Sequence, residues 1–226
     1  KKAMTKTIKT FFRHVISMLC LGGLLLTSMS IVSCSEDKDD VEEFANWKAT
    51  NENYWNKLYT ITEQKIKGGD TSWKIIKNYT LAGQHAVGNA QLSYKPENHI
   101  IVHVLESGSE TKSPLLTDYA SVHYMGRLIP STTYTAGLIF DKSWSSNTFN
   151  ALTSRPTHFE VRGVVDGFAT ALQQMHRGDH WVIYIPYQLG YGTVKAGGGT
   201  IPAYSTLIFD VRLVDFAHVE KNLKDR

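Results

Sequence analysis

Residues 164–179 read VVDGFATALQQMHRGD, and residues 180–186, which follow them, read HWVIYIP. In the first stretch Phe168, Leu172 and Met175 recur at helical spacing, with Asp166 placed to cap the start and Gly178 the end of a helix over 166–177. In the second, Trp181, Ile183 and Ile185 alternate with Val182 and Tyr184, which is the period of a strand. The same alternation runs through 119–128 (YASVHYMGRL), where Ala120, Val122, Tyr124 and Leu128 share a face and Ser121, His123 and Arg127 take the other. Near the end, Leu207, Phe209, Val211 and Leu213 alternate with Asp210 and Arg212. With shorter runs at 101–105, 138–141 and 158–161, the pattern predicts about six strands and a single short helix. That is an α+β domain, an antiparallel sheet covering its apolar face with the helix.

Working outward, residues 41–66 place Phe44, Trp47, Tyr54, Leu58 and Ile61 along one helical stripe, which Asn51 interrupts and Gly68-Gly69 ends. The stripe suits an arm for self-association or for holding unfolded clients, or a helix laid against its own domain; a single short stripe favours the second. Residues 70–98 show no clear period. The chain is thus divided into a helical extension over 41–98, a main domain over 99–217 and a tail over 218–226.

The N-terminus reads as an export signal. Lys1, Lys2, Lys6, Lys9 and Arg13 precede an apolar run over 15–32, and no acidic residue occurs in the first 33 positions. The run ends in Ile31-Val32-Ser33-Cys34, which resembles a bacterial lipobox, so that 1–33 is a lipoprotein signal peptide and Cys34 the lipid-bearing (palmitate) residue. An uncleaved transmembrane anchor is the alternative, since the run approaches the ~20 residues that span a bilayer. Either exports the rest. Residues 34–40, with Glu36, Asp37, Asp39 and Asp40, form an acidic, solvated tether that weakly resembles export tags for the outer face of an outer membrane. These features place the protein outside the cytoplasm, lipid-anchored to a bacterial outer membrane at its periplasmic or cell-surface face.

Charge excludes one class of partner. The chain has 24 Lys and Arg against 21 Asp and Glu; five of the basic residues lie in the first 33, leaving 19 against 21. A near-neutral mature protein lacks the basic face that nucleic acid requires. Cys20 and Cys34 are the only cysteines, so the main domain has no disulfide. His123, His158, His176 and His180 show no metal-ligand spacing and read as surface or satisfied side chains.

Five segments in order, VHYMGRL, IFDKS, VVDGFATALQQMHRGD, IPYQLGYG and IPAYSTLIFDVRL, resemble the FKBP family of peptidyl-prolyl cis-trans isomerases over 100–216, about half the chain. The resemblance implies a curved half-barrel sheet wrapped around the short helix, with an apolar pocket between them. It implies Tyr124, Phe140, Asp141, Tyr191 and Phe209 as catalytic residues and Val164, Val165, Phe168 and Ile201 as substrate-binding ones, Phe168 forming the floor. On their own positions, Phe209 and Tyr124 are equally core aromatics, Val164 and Val165 ordinary core, and Tyr191 a turn residue between Gly190 and Gly192. Asp141 after an apolar run is costly to bury unless paired. The implied reaction is rotation about Xaa–Pro bonds of proline-containing polypeptides (EC 5.2.1.8 type), with no cofactor and no metal.

Three departures from the family stand out. Phe168 replaces a floor tryptophan, Thr157 replaces a wall aromatic, and the connection over 129–139 is longer and placed to cover or extend the pocket. They imply reduced activity and reduced affinity for macrolide ligands. A catalytically weak or silent FKBP-fold chaperone or surface binding module is the alternative function.

Overall fold

The computed structural model describes residues 42–85 and 92–218. The signal segment, Cys34, the acidic tether and the tail beyond His218 lie outside the described residues. The strands are β1 (Trp73–Lys77), β2 (His99–Glu106), β3 (Tyr119–Leu128), β4 (Ile139–Lys142), β5 (Thr157–Glu160), β6 (His180–Ile185) and β7 (Leu207–Ala217). Two helices, α1 (Trp47–Lys67) and α2 (Asp166–Leu172), accompany them. The sheet runs β1-β2-β6-β7-β3-β4, with β5 also on β3, and every pairing is antiparallel.

Alternation explains β3, β6 and β7. Ala120, Val122, Tyr124 and Leu128 point inward from β3, and Trp181, Ile183 and Ile185 from β6, into one buried cluster with Phe168 and Leu172 of α2. Strand β3 is central to the site because β7 pairs along one edge while β5 takes Tyr119–Val122 and β4 takes Met125–Arg127 on the other. Gly167 lets α2 approach the sheet: a Cβ there would overlap the Ile185 side chain and stand 3.2 Å from that of Ile100. Burial of α2 is correspondingly complete, from Gly167 to Leu172.

The structure corrects several expectations. A seventh strand, β1, arises from the unassigned stretch and pairs with β2, Ile75 opposite Ile101. Helix α2 closes at Leu172 with Gln173 as its C-cap, so Gly178 does not end it; Gly178 adopts φ +91° in the turn leading to Asp179, a left-handed conformation suited to glycine. Asp166 is the first helical residue and its side chain makes no cap bond; Val165 precedes it as the N-cap.

Helix α1 lies against its own domain on a face that shares Trp47 and the half-buried Tyr54 with the apolar stripe and is turned away from Ile61. Its buried residues are Trp47, Asn51, Trp55 and Thr62, while Ile61 is exposed and Tyr54 half-buried. Asn51, which interrupts the apolar stripe, sits at the centre of the contact with zero exposure. Its amide solves the burial problem for a polar side chain: Nδ2 donates to Trp47 O at 2.7 Å and Oδ1 accepts from the Thr206 N–H at 2.7 Å.

Candidate active site

A pocket of about 460 Å³ opens between the curved sheet and the N-terminus of α2. It is lined by Tyr124, Phe140, Asp141, Val164, Val165, Phe168, Tyr191, Ile201 and Phe209, all nine of the positions that the sequence singles out, together with Phe159, Gly163 and Gly197. Phe168 is the floor, 3% exposed, and meets Phe209 edge-on with ring centroids 4.9 Å apart. Phe209 in turn meets Phe140 edge-on at 5.5 Å. These T-shaped contacts place positive ring edges against negative faces, which fixes the walls beyond what burial alone supplies.

One backbone position makes this wall possible. Gly126 of β3 faces Phe209 of β7 on one side and Asp141 of β4 on the other. A Cβ there would overlap the Phe140 ring and come within 2.8 Å of Phe209 Cε1.

Asp141 is exposed, and both of its carboxylate oxygens are engaged. Oδ2 accepts from the Tyr124 hydroxyl at 2.5 Å and Oδ1 from the Lys142 N–H at 2.8 Å. Burial, followed by the hydrogen bond and charge of Asp141, pushes the Tyr124 phenol well above its ordinary value, so it stays a neutral donor. Tyr124 is a buried wall whose hydroxyl is committed to Asp141.

The rim carries the uncommitted polar groups. Among the described residues, neither the Tyr191 hydroxyl nor the Val165 N–H has a hydrogen-bond partner, whereas the Val165 carbonyl accepts from Phe168 and Ala169 as the cap of α2. Tyr191 is 40% exposed. Ile201 is held by paired backbone bonds with Ala196, at 3.0 and 3.1 Å, across a turn in which Gly197, Gly198 and Gly199 all adopt positive φ. That geometry requires glycine and brings the 196–201 turn over the slot.

Two expectations about the pocket change. Thr157 does not leave a missing wall, because Phe159, two residues along β5, lines the pocket with its ring 5.3 Å from Tyr124 and 6.3 Å from Phe168. Its signal was the strand period: Thr157 pairs with Val122 and Phe159 with Ala120, both inward residues of β3. The 129–139 connection contributes no lining residue. It is tied instead to the segment before α1, where Glu43 accepts from the Ser131 hydroxyl at 2.5 Å and the Thr133 N–H at 3.0 Å.

No cluster of three or more His, Cys, Asp or Glu suited to a metal occurs among the described residues. His180 is nearly buried between Glu106 and Asp210, at 3.2 and 2.8 Å, on the opposite face of the sheet from the inward-pointing Trp181.

Residues 110–214 match the family model described as FKBP-type peptidyl-prolyl cis-trans isomerase. Over these residues, just under half of its length, the chain is similar to that family. The chain is 42% identical over 107 residues to the "Macrophage infectivity potentiator" of Trypanosoma cruzi, covering 47% of this chain and 47% of that protein. It is 35% identical over 119 residues to the "FKBP-type 22 kDa peptidyl-prolyl cis-trans isomerase" of Escherichia coli strain K12, covering 53% and 50%. Identity to the "Outer membrane protein MIP" of Legionella longbeachae is 32% over 111 residues, covering 49% and 41%. The chain therefore spans about half the length of the relatives it matches.

Proposed function

We propose that the domain is an FKBP-type peptidyl-prolyl cis-trans isomerase acting on proline-containing polypeptides. The observation that carries this reading is an apolar slot walled by Phe140, Phe159, Phe168 and Phe209, with the Tyr191 hydroxyl and the Val165 N–H left without protein partners at its rim. Proline suits the slot because it is compact and has no N–H to leave unsatisfied.

Rotation about the Xaa–Pro bond faces a barrier of about 18–20 kcal/mol because it sacrifices amide resonance. In the twisted state the carbonyl loses charge-separated character. Water favours the planar, more polar amide, and an aromatic slot removes that preference, binding the twisted form relatively better. Tyr191 and the Val165 N–H donate to the flanking backbone and orient it, and no net proton transfer is required. Tyr124 and Asp141, bonded to each other, hold the wall. The smaller floor ring of Phe168 goes with weaker macrolide binding than in family members with tryptophan there.

Export and lipid attachment at Cys34 complete the reading: the domain works outside the cytoplasm, tethered to a membrane, on exported chains whose late folding waits on prolyl isomerisation. The name of the Legionella longbeachae relative, an outer membrane protein, supports this location. Incorporation of labelled palmitate that disappears in Cys34→Ala tests the anchor. A soluble form lacking residues 1–34 tests the activity: it accelerates cis-to-trans conversion of Xaa-Pro peptides, and Phe209→Ala and Tyr191→Ala slow it. Unchanged rates in both variants would remove the pocket from the reaction.

A further inference from the structure

Two residues of the pocket, Tyr191 and Ile201, belong to a long segment, 187–206, that leaves the end of β6 and returns into β7. Both roots of this segment are gripped by the first two turns of α1. Glu52 accepts from the Tyr187 hydroxyl at 3.1 Å, and the Lys48 ammonium lies 5.8 Å from the Tyr204 ring, which packs edge-on against Tyr187 at 5.3 Å. The Trp47 indole N–H donates to Ser205 Oγ at 2.8 Å, and Asn51 accepts from the Thr206 N–H.

From those roots the connection to Tyr191 is short. Tyr204 N–H donates to Gly192 O at 2.9 Å, and Gly192 N–H donates to Tyr187 O at 2.8 Å, so the residue after Tyr191 is bonded to both gripped ends. Tyr204 itself has φ +65°, a left-handed conformation that a tyrosine adopts only when its surroundings enforce it. Those surroundings include Lys48 on one side and the Trp47–Ser205 bond on the other. An apolar residue at position 51 would fill the same space but permit sliding; a buried amide bonded at both ends sets direction as well as distance.

We propose that α1 positions the Tyr191 loop of the active site, with Trp47 and Asn51 as positioning residues that hold Tyr191 where a bound peptide meets it. This rests on the isomerase reading of the pocket. Helix α1 is then a working part of the enzyme, contributed by the extension that precedes the family-matched residues.

The test uses the full chain with Trp47→Phe, which keeps the ring and deletes the bond to Ser205, and Asn51→Ala, with Ile101→Val on β2 as a control for lost stability. At temperatures well below melting, kcat/KM is expected to fall roughly three- to tenfold in the α1 variants, mainly through KM, and to hold in the control. Amide hydrogen exchange at Gly192 and Tyr204 is expected to speed up while the β3–β7 amides stay protected. In a Tyr191→Phe background, Trp47→Phe is expected to have little further effect, because the two act through one group. Should Asn51→Ala fail to fold, Trp47→Phe and Ser205→Ala carry the same test. Full kcat/KM in Trp47→Phe, or additivity with Tyr191→Phe, overturns the proposal. If the parent chain accelerates no isomerisation, the isomerase reading falls by itself; the exchange rates at Gly192 and Tyr204 then decide the positioning, and unchanged rates overturn it.

Discussion

The Tyr124 hydroxyl donates to Asp141 Oδ2 at 2.5 Å, joining the middle of β3 to the short strand β4 across the mouth of the pocket. This bond commits the phenol to the wall, and leaves Tyr191 as the rim hydroxyl without a protein partner among the described residues. It also makes Tyr124 sensitive to alkali. Burial and the neighbouring carboxylate both favour the neutral phenol in the fold, so its folded-state value lies above the ordinary 10.0. Tyr54 of α1, packed against the core, is pushed up to about 12, chiefly by burial.

A group whose folded-state value is raised contributes stability that is fully present below its unfolded value and is lost as pH climbs through the folded one. Stability is therefore expected to be flat from about pH 7 to about pH 9 and to decline above about pH 10, the ordinary tyrosine value. Urea unfolding across this range checks it. Tyr124→Phe is expected to start about 1 kcal/mol lower, having lost one hydrogen bond, and to decline less steeply.

Gly126→Ala is expected to damage the site through space alone. The added methyl overlaps the Phe140 ring and crowds Phe209, so one ring must leave its edge-on contact. Overpacking of this kind costs about 1–3 kcal/mol and displaces a pocket wall. Isomerase activity is expected to fall more than tenfold in proportion to that displacement, roughly 1.4 kcal/mol of transition-state binding per decade. Phe140→Leu in the same chain is expected to restore stability by making room, without restoring full activity, because the aromatic wall stays incomplete.

Tyr191→Phe separates binding from folding. The hydroxyl has no partner among the described residues and the side chain is well exposed, so its removal is expected to leave the melting temperature unchanged. A lost substrate hydrogen bond of about 0.5–1.5 kcal/mol corresponds to a two- to tenfold fall in kcat/KM. Paired unfolding and peptide-isomerisation measurements on the one variant check both halves.

The periods of the chain mark Tyr124, Phe168 and Phe209 as inward-facing, and it is the resemblance to the FKBP family that groups them with Asp141, Val164, Val165, Tyr191 and Ile201 into one pocket. Tyr124 and Phe209 follow the period of β3 and β7, and Phe168 follows the helical period of α2. What escaped is equally physical. Strand β1 is a five-residue edge strand, Trp-Lys-Ile-Ile-Lys, partly covered on both faces, so no alternation marks it. The buried face of α1 was hidden because two of its four buried residues, Asn51 and Thr62, are polar, and an apolar stripe is blind to a side chain such as Asn51 that is buried through its hydrogen bonds. Phe159 shares one face of β5 with Thr157, so the ring that the family places at one position stands two residues along the same strand.

His123 gives the acid side of the stability curve its own signature. Its ring is buried on β3 with Nδ1 unpartnered, 4.8 Å from the Phe149 ring, and Arg212 faces it from β7. Burial, and then the positive charge of Arg212, lower its value below the ordinary 6.5, so the fold holds the imidazole neutral. The unfolded chain takes up a proton as pH drops below 6.5, and the folded chain resists it, so stability is full above 6.5 and is lost as pH falls through the folded value. The carboxylates held low by their hydrogen bonds, Glu43 and Glu106 among them, act only below their ordinary 4.5, which leaves the interval between the two values to the histidine. His123→Phe keeps an aromatic ring against Phe149 and removes the titration. Its unfolding free energy is expected to be flat from about pH 7 to about pH 5, the range in which only histidines titrate, while the parent declines. Parallel slopes in the two proteins over that range would assign the decline to another histidine.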